Sequence, residues 1–257
     1  MADAPEYGSA TARHYDRVYA SLRDPSGDVD WYRRLAREAA GPVLELGAGT
    51  GRVLLAMAAE GLPCVGLEAA QAMLDEMRRK PLPSNVELVQ ADMRSFALPQ
   101  RFALIAAPFR VFQHLESVED QLACLGCVRR HLAPGGRFAF DVFAPDPAQL
   151  AIAAQPETED ARYQAGGEQV VRYVGVRVER GRQRLHVAMR YEKRLGDQRL
   201  GEDRTEFTMR YFYRYELEHL LTRAGFGRIE IHGGFGGEPL ADDSRDFVVV
   251  ANAEPTP

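Results

Sequence analysis

The chain has 257 residues, 46% of them hydrophobic and 27% charged, with a net charge of -5; these proportions fit an ordinary globular protein and exclude a disordered or fibrous one. The mild acidity argues against a nucleic acid partner, because a domain that neutralises many phosphates carries a basic excess. Three cysteines are too few for a disulfide framework, and the opening MADAPEYGSATARHYD lacks the basic and apolar regions of a secretory leader, so a cytoplasmic location without a membrane partner is expected.

Residues 9–24 and 28–40 read as two helices joined by DPSG, the second capped by Asp28 or Asp30 and closed before Pro42. From Pro42 the pattern becomes strand, glycine turn, helix: VLEL, GAGTGR, then VLLAMAAEG. CVGLE and AAQAMLDEMRRK repeat strand and helix, and further strands are expected at 86–90, 102–107 and 136–143. A helix over 117–132, ended by APGG, separates the last two. On it Cys124, Cys127 and His131 share a face; with no second ligand pair nearby they read as packing groups, and no metal is expected. This alternation implies an α/β protein with a doubly wound, mostly parallel sheet covered by helices on both sides.

The rhythm then breaks. Residues 144–165, rich in Pro, Ala and acids, read as a connection, and three period-two segments follow (QVVRYVGVRVE, RLHVAMRYEKRL and DRTEFTMRYFYR). Leu185, Val187, Met189 and Tyr191 form one face of the second, with His186, Arg190 and Glu192 opposite. Such a small antiparallel sheet lies over something: a lid on an acceptor pocket, or a homodimer surface. A helix in YELEHLLTRAGF and strands in RIEIHG and RDFVVVAN bring the main sheet to seven strands. The expected organisation is one domain, with a helical cap at 1–41, a core at 42–143, an inserted lid at 144–213 and a closing segment at 214–257.

The strongest chemical signal is VLELGAGTGR. Gly47, Gly49 and Gly51 follow a strand and open a helix, so backbone can approach a ligand without Cβ interference, and Glu68 ends the next strand, where a carboxylate can accept two ribose hydroxyls. This motif resembles the glycine-rich signature of the class I S-adenosylmethionine-dependent methyltransferases of small-molecule type. The resemblance implies a Rossmann-like fold, S-adenosylmethionine as cofactor, a small-molecule acceptor and methyl transfer, with N or O as receiving atom. It assigns Glu45, Gly47, Ala48, Gly49 and Arg52 to the methionyl end and Glu68 to the ribose, with Ala69 and Met73 beside it. QADMRSF places Asp92 and Met93 around the adenine, and AAPFRVFQHL brings Pro108 and Phe109 beneath the sulfonium. HYDRVY resembles the YDxxY of a first helix that closes over the cofactor, giving that role to Tyr15 and Tyr19. The [DN]PP[YF] sequence of enzymes that hold a planar nitrogen substrate is absent.

His114, with Tyr15 and His14 behind it, is the candidate catalytic base should the acceptor need one. Arg110, Arg190, Arg210 and Tyr211 are candidate substrate contacts from the cap, against the reading of the arginines as a solvated ionic face. Two other functions compete: a nicotinamide-dependent oxidoreductase, which requires G-x-G-x-x-G and a Tyr-xxx-Lys pair, and a non-catalytic cofactor-binding module.

Overall fold

The computed structural model describes residues 8–22 and 25–253. Positions 1–7, 23–24 and 254–257, which the sequence reading gave to the helical cap, its first helix and loop, and the closing segment, lie outside the described residues. The helices α1 (Ser9–Leu22) and α2 (Pro25–Ala39) come first. Then follow β1 (Val43–Leu46), α3 (Arg52–Ala58), β2 (Cys64–Glu68), α4 (Gln71–Arg78), β3 (Val86–Gln90) and β4 (Phe102–Ala107). A 3-10 turn at Val111–His114 leads to α5 (Val118–His131) and β5 (Leu132–Phe143). A short α6 (Pro147–Ala151) opens the insertion, which comprises β6 (Ala154–Ala165), β7 (Glu168–Glu179), β8 (Arg184–Leu195) and β9 (Gln198–Arg210). The chain closes with α7 (Arg214–Arg223), β10 (Phe226–His232) and β11 (Asp246–Ala253).

Among the described residues the main sheet has seven strands in the order β10-β11-β5-β4-β1-β2-β3. β11 runs antiparallel to both its neighbours, while β3, β2, β1, β4 and β5 pair in parallel. Strand order reverses between β1 and β4, the switch point at which α/β sheets open a crevice beyond their C-terminal ends. One sheet face packs Leu44, Ile105, Phe138 and Phe140 against α5 and α7 through Leu125, Val128, Leu217 and Leu221. The other packs Val43, Leu104 and Val248 against Trp31, Tyr32, Leu54 and Met77 of α2, α3 and α4. Each such fully buried side chain contributes about 1.5–3 kcal/mol. α5 is also well terminated: Ser117 Oγ accepts from the Asp120 N–H, acids occupy its first turn, and Arg129, Arg130 and His131 its last.

Two boundaries differ from the sequence expectation. α2 starts at Pro25, because proline fits a first helical position where its missing N–H has no partner to lose. The stretch 144–165 is more than a connection: it forms α6 and then β6, so the insertion is a four-stranded sheet in the order β6-β7-β8-β9. β6 is an edge strand whose only buried side chain is Ala161; a bulge between Gln155 and Thr158 accommodates Pro156, and a second lies between Glu159 and Ala161. Its sequence therefore carries a period-two apolar signal only over Ala161, Tyr163 and Ala165. Among the described residues no helix is long and apolar enough to cross a membrane.

Candidate functional site

A cavity of about 1200 Å³ opens at the C-terminal ends of β1, β2 and β4. Its floor comes from the loops of the main sheet and its roof from the inner face of the inserted sheet. Of the residues singled out in the sequence, Tyr15, Tyr19, Gly47, Gly49, Glu68, Ala69, Met73, Asp92, Met93, Phe109, Arg110 and His114 line it.

The glycine loop is built for close approach. Gly47 takes φ +63°, and a Cβ there would meet both Val111 methyls at 2.7 Å, so backbone is pressed against the segment after β4. Gly49 takes φ +56°, yet a Cβ there would find nothing nearer than the Gly47 carbonyl oxygen at 3.9 Å. Its Cα therefore looks onto open space. Glu68 Oε2 accepts from the Gly49 N–H at 2.9 Å and Oε1 from the Ala70 N–H at 2.8 Å. Burial lifts its carboxyl above the usual range while these backbone donors oppose the rise.

Glu45, Ala48, Arg52 and Pro108 do not reach the cavity wall. Ala48 is packed behind the loop, its N–H on the Leu67 carbonyl, and Pro108 is buried. Arg52 is held instead by Asp28 of α2 through two hydrogen bonds, at 3.0 and 2.7 Å, and its guanidinium lies 5.0 Å from the Phe109 ring. Glu45 is buried on β1 with Oε2 lacking a hydrogen-bond partner, and burial drives its carboxyl well above the ordinary range. Asp92 is gripped by Arg94; burial raises its carboxyl, and the Arg94 hydrogen bonds more than offset this and leave it lowered.

The loop after β4 carries strain. Phe109 and Arg110, neither of them glycine, both adopt left-handed backbone with φ +59° and +65°, a conformation that persists only where surroundings impose it. Asp141, fully buried on β5, does so: its Oδ1 accepts the Phe109 N–H at 2.7 Å and the Tyr32 hydroxyl at 2.9 Å. Gln113 accepts from the Phe143 N–H and donates to the Arg210 carbonyl, tying this loop to β5 and β9. Above the loop Phe109 meets Tyr19 edge-on at 4.9 Å, and Tyr19 meets Tyr15 at 4.5 Å. Burial pushes the Tyr15 phenol well up, so it carries its proton throughout the neutral range.

The roof follows the sheet's pleat. Val174, Val176 and Val178 of β7, Leu185, Val187 and Met189 of β8, and Phe207 and Met209 of β9 turn inward, in register as Val174↔Met189, Val176↔Val187, Val178↔Leu185 and Val187↔Phe207. The apolar face is thus the cavity face. Arg190, Arg210 and Tyr211 are not on it. Arg190, of opposite parity to Val187 and Met189, pairs outside with Glu157 and Glu192 over the Tyr173 ring. Arg210 pairs with Glu216, and Tyr211 is buried against Leu150 and Val178. Arg110 lines the cavity and lies 3.6 Å from Asp246. Sequence reasoning missed Arg172 and Asp160, which face the cavity as a pair with hydrogen bonds of 2.8 and 2.6 Å. The signal was present: Arg172 shares parity with Val174, Val176 and Val178.

His114 lines the cavity near Phe207, with ring centroids 5.5 Å apart. Burial pushes its imidazole down to about 4 against a backbone hydrogen bond with Thr208 that opposes the fall. His14 lies elsewhere, between α1 and the roof: it meets Asp203 at 3.0 Å and Tyr163 at 2.5 Å and stacks on Tyr191. The Cys124–Cys127–His131 face is internal, with His131 Nδ1–H donating to the Cys127 carbonyl and Nε2 accepting from the Leu98 N–H.

Comparison with known proteins places these features. A family profile described as "Methyltransferase domain" matches residues 43–136. Cypemycin N-terminal methyltransferase of a Streptomyces species is 27% identical over 97% of this chain and 98% of its own length. A dTDP-3-amino-3,4,6-trideoxy-alpha-D-glucopyranose N,N-dimethyltransferase of Streptomyces venezuelae is 33% identical over 38% of this chain and 40% of its own. The solved structure of the CcbJ methyltransferase from Streptomyces caelestis superposes with a TM-score of 0.79 at 27% identity, covering 98% of this chain and 100% of that one.

Proposed function

The chain is a class I S-adenosylmethionine-dependent methyltransferase, and we propose that it methylates an uncharged amine nitrogen of a small molecule held beneath the inserted sheet. The cofactor supplies a sulfonium-bound methyl that an in-line nucleophile displaces. The observation that carries the choice of nitrogen is His114: at about 4 its imidazole is too weak a base to take a proton from a hydroxyl, and the Tyr15 phenol stays protonated. An amine that has already lost its proton to water needs no such base. The N-terminal methyltransferase and the N,N-dimethyltransferase among the relatives support the same reading.

The residues divide the work. The Glu68 carboxylate accepts from the backbone N–H groups of Gly49, Ala69 and Ala70 and still lines the cavity with lone-pair capacity left, so its oxygens are assigned to the two ribose hydroxyls. Gly47 and Gly49 admit the methionyl end, and Ala69, Met73, Asp92 and Met93 the adenine. Glu45 and Arg52 act from behind the loop, Arg52 by fixing α2 against α3. Tyr15, Tyr19 and Phe109 form an aromatic wall that excludes water where the methyl moves. His114 offers a neutral lone pair or N–H that orients the amine.

Two expected outcomes test this. Glu68→Ala removes charge-assisted hydrogen bonds of about 1.5–3 kcal/mol, so calorimetric affinity for S-adenosylmethionine falls at least tenfold; unchanged affinity in a folded variant removes Glu68 from the site. The second is a pH profile with matched amine and alcohol acceptors. Because burial lowers the His114 pKa, the imidazole loses its proton as pH rises through about 4 and is neutral from there upward. The kcat/KM for an amine therefore climbs towards the amine's own pKa with no inflection near 6.5, in wild type and in His114→Gln alike. Equal turnover of the alcohol, or an inflection near 6.5 that His114→Gln abolishes, overturns the amine reading.

A further inference from the structure

The cavity faces of β7, β8 and β9 are apolar except at their α1 end, where Arg172 stands on the inner face of β7, with a relative exposure of 3%. Its Nε and Nη2 donate to Asp160, and its guanidinium lies 5.2 Å from the Tyr19 ring. Nη1 meets the thioether of Met189 at 3.9 Å, a weak acceptor. A guanidinium carries five N–H donors, so two carboxylate oxygens, a sulfur and the Tyr191 hydroxyl still leave donor capacity on a side chain that lines the cavity. Desolvating the Arg172 guanidinium consumes much of its attraction to the partly solvated Asp160, so the pair contributes little net stability. The pair's place in a ligand cavity gives it another use.

We infer that Arg172 is a specificity-determining contact that donates a hydrogen bond to an uncharged carbonyl oxygen of the acceptor, as in an amide, while Asp160 accepts the amide N–H. This rests on the reading of the cavity as the acceptor site for an amine. Three features select the chemistry. Asp160 already balances the guanidinium charge, so a second carboxylate would leave the buried group with surplus negative charge, whereas a neutral amide leaves it even. The pair presents a donor and an acceptor side by side, which matches the two edges of an amide. Val174, Val187 and Met189 flank the buried guanidinium, and a polar group set among apolar side chains penalises a ligand that lacks the matching group. The location agrees: Arg172 packs on Tyr19, which packs on Phe109, so one aromatic ring separates this anchor from the loop assigned to the reacting end.

The test has a turnover arm and a binding arm. In the first, S-adenosylhomocysteine formation is measured for wild type, Arg172→Lys and Arg172→Met with ω-aminoalkanamides, n-alkylamines and ω-aminoalkanoates of increasing chain length. In wild type the best aminoalkanamide is expected to exceed the matched alkylamine at least tenfold in kcat/KM. The ratio should collapse to within about threefold in Arg172→Met and shrink in Arg172→Lys. In the second, calorimetry follows hexanamide and hexanoate binding to protein loaded with S-adenosylhomocysteine. Hexanamide has no nucleophilic amine, so this arm is independent of the amine reading: hexanamide should bind wild type and fail to bind Arg172→Met. If no amine is methylated while hexanamide binding still depends on Arg172, the amine reading falls and the contact stands. The contact falls if the amide preference survives in Arg172→Met, if wild type prefers the carboxylates, or if wild type does not bind hexanamide. Should Arg172→Met not fold, Arg172→Lys, which keeps the charge and loses the planar fork, decides by the same comparisons.

Discussion

Asp141→Ala is expected to lower the unfolding free energy by about 3 kcal/mol or more and to depress methyl transfer further than the folded fraction explains. Asp141 is fully buried and accepts from the Phe109 N–H and the Tyr32 hydroxyl. Truncation strands both donors where water cannot reach them, at about 1–3 kcal/mol each. It also releases the restraint on Phe109 and Arg110, whose left-handed backbone relaxes once the hydrogen bond is gone. The aromatic wall then shifts. Urea denaturation with an unchanged m-value measures the first effect, and kcat at full cofactor saturation the second. Asp141→Asn keeps an acceptor oxygen and should lose less than half as much. A loss below about 1 kcal/mol in Asp141→Ala would show that this bond does not hold the loop.

Gly49→Val is expected to abolish measurable binding of S-adenosylmethionine, a loss of at least about a hundredfold, while the protein remains folded. The reasons separate cleanly at this position. The Cβ meets no protein atom closer than 3.9 Å, so the fold tolerates the volume, and the methyls project where the cofactor backbone is assigned. The left-handed φ of +56° costs a β-branched residue about 1–2 kcal/mol, which lowers the melting temperature by several degrees without unfolding the chain. Gly47 behaves differently, since a Cβ there strikes Val111 at 2.7 Å, so its substitution damages the loop itself. Calorimetry on Gly49→Val, with circular dichroism as the folding control, checks the expectation; retained micromolar affinity would displace the cofactor from this loop.

The parallel core was legible because its signals are local. VLEL and CVGLE are short apolar runs punctuated by glycines and followed by helical periodicity, FALIAA is an unbroken apolar run stopped by Pro108, and each is a strand of the main sheet. β6 was illegible because most of an exposed edge strand needs no apolar face, and in QPETEDARYQA only Ala161, Tyr163 and Ala165 alternate inward, too short and weak a run to mark a twelve-residue strand. The substrate candidates show what composition cannot supply. Arg190 and Arg210 stand out as charges among apolar residues, but their parity and their partners Glu157, Glu192 and Glu216 turn them away from the cavity. Arg172 sits among valines of its own parity, and its place in the cavity follows from the register of β7 with β8. Likewise nothing local in RVLLAM reveals that Asp28, twenty-four positions upstream, claims Arg52.

The seat of α1 lies far along the chain. His14 rests on Tyr163 and Asp203, and Val18 is buried among Ala161, Val170 and Met189, while Asp16 reaches back to Thr50 and Lys80. During synthesis this helix emerges before the roof it rests on, and its contacts with Ala161, Val170, Met189 and Asp203 form only once those residues have emerged. The family-profile segment at residues 43–136 is complete well before then. Closing so long a loop carries an entropic cost that only the finished roof offsets. α1 thus docks long after it is made, and a nascent chain carries its cofactor floor uncovered until the inserted sheet is nearly whole.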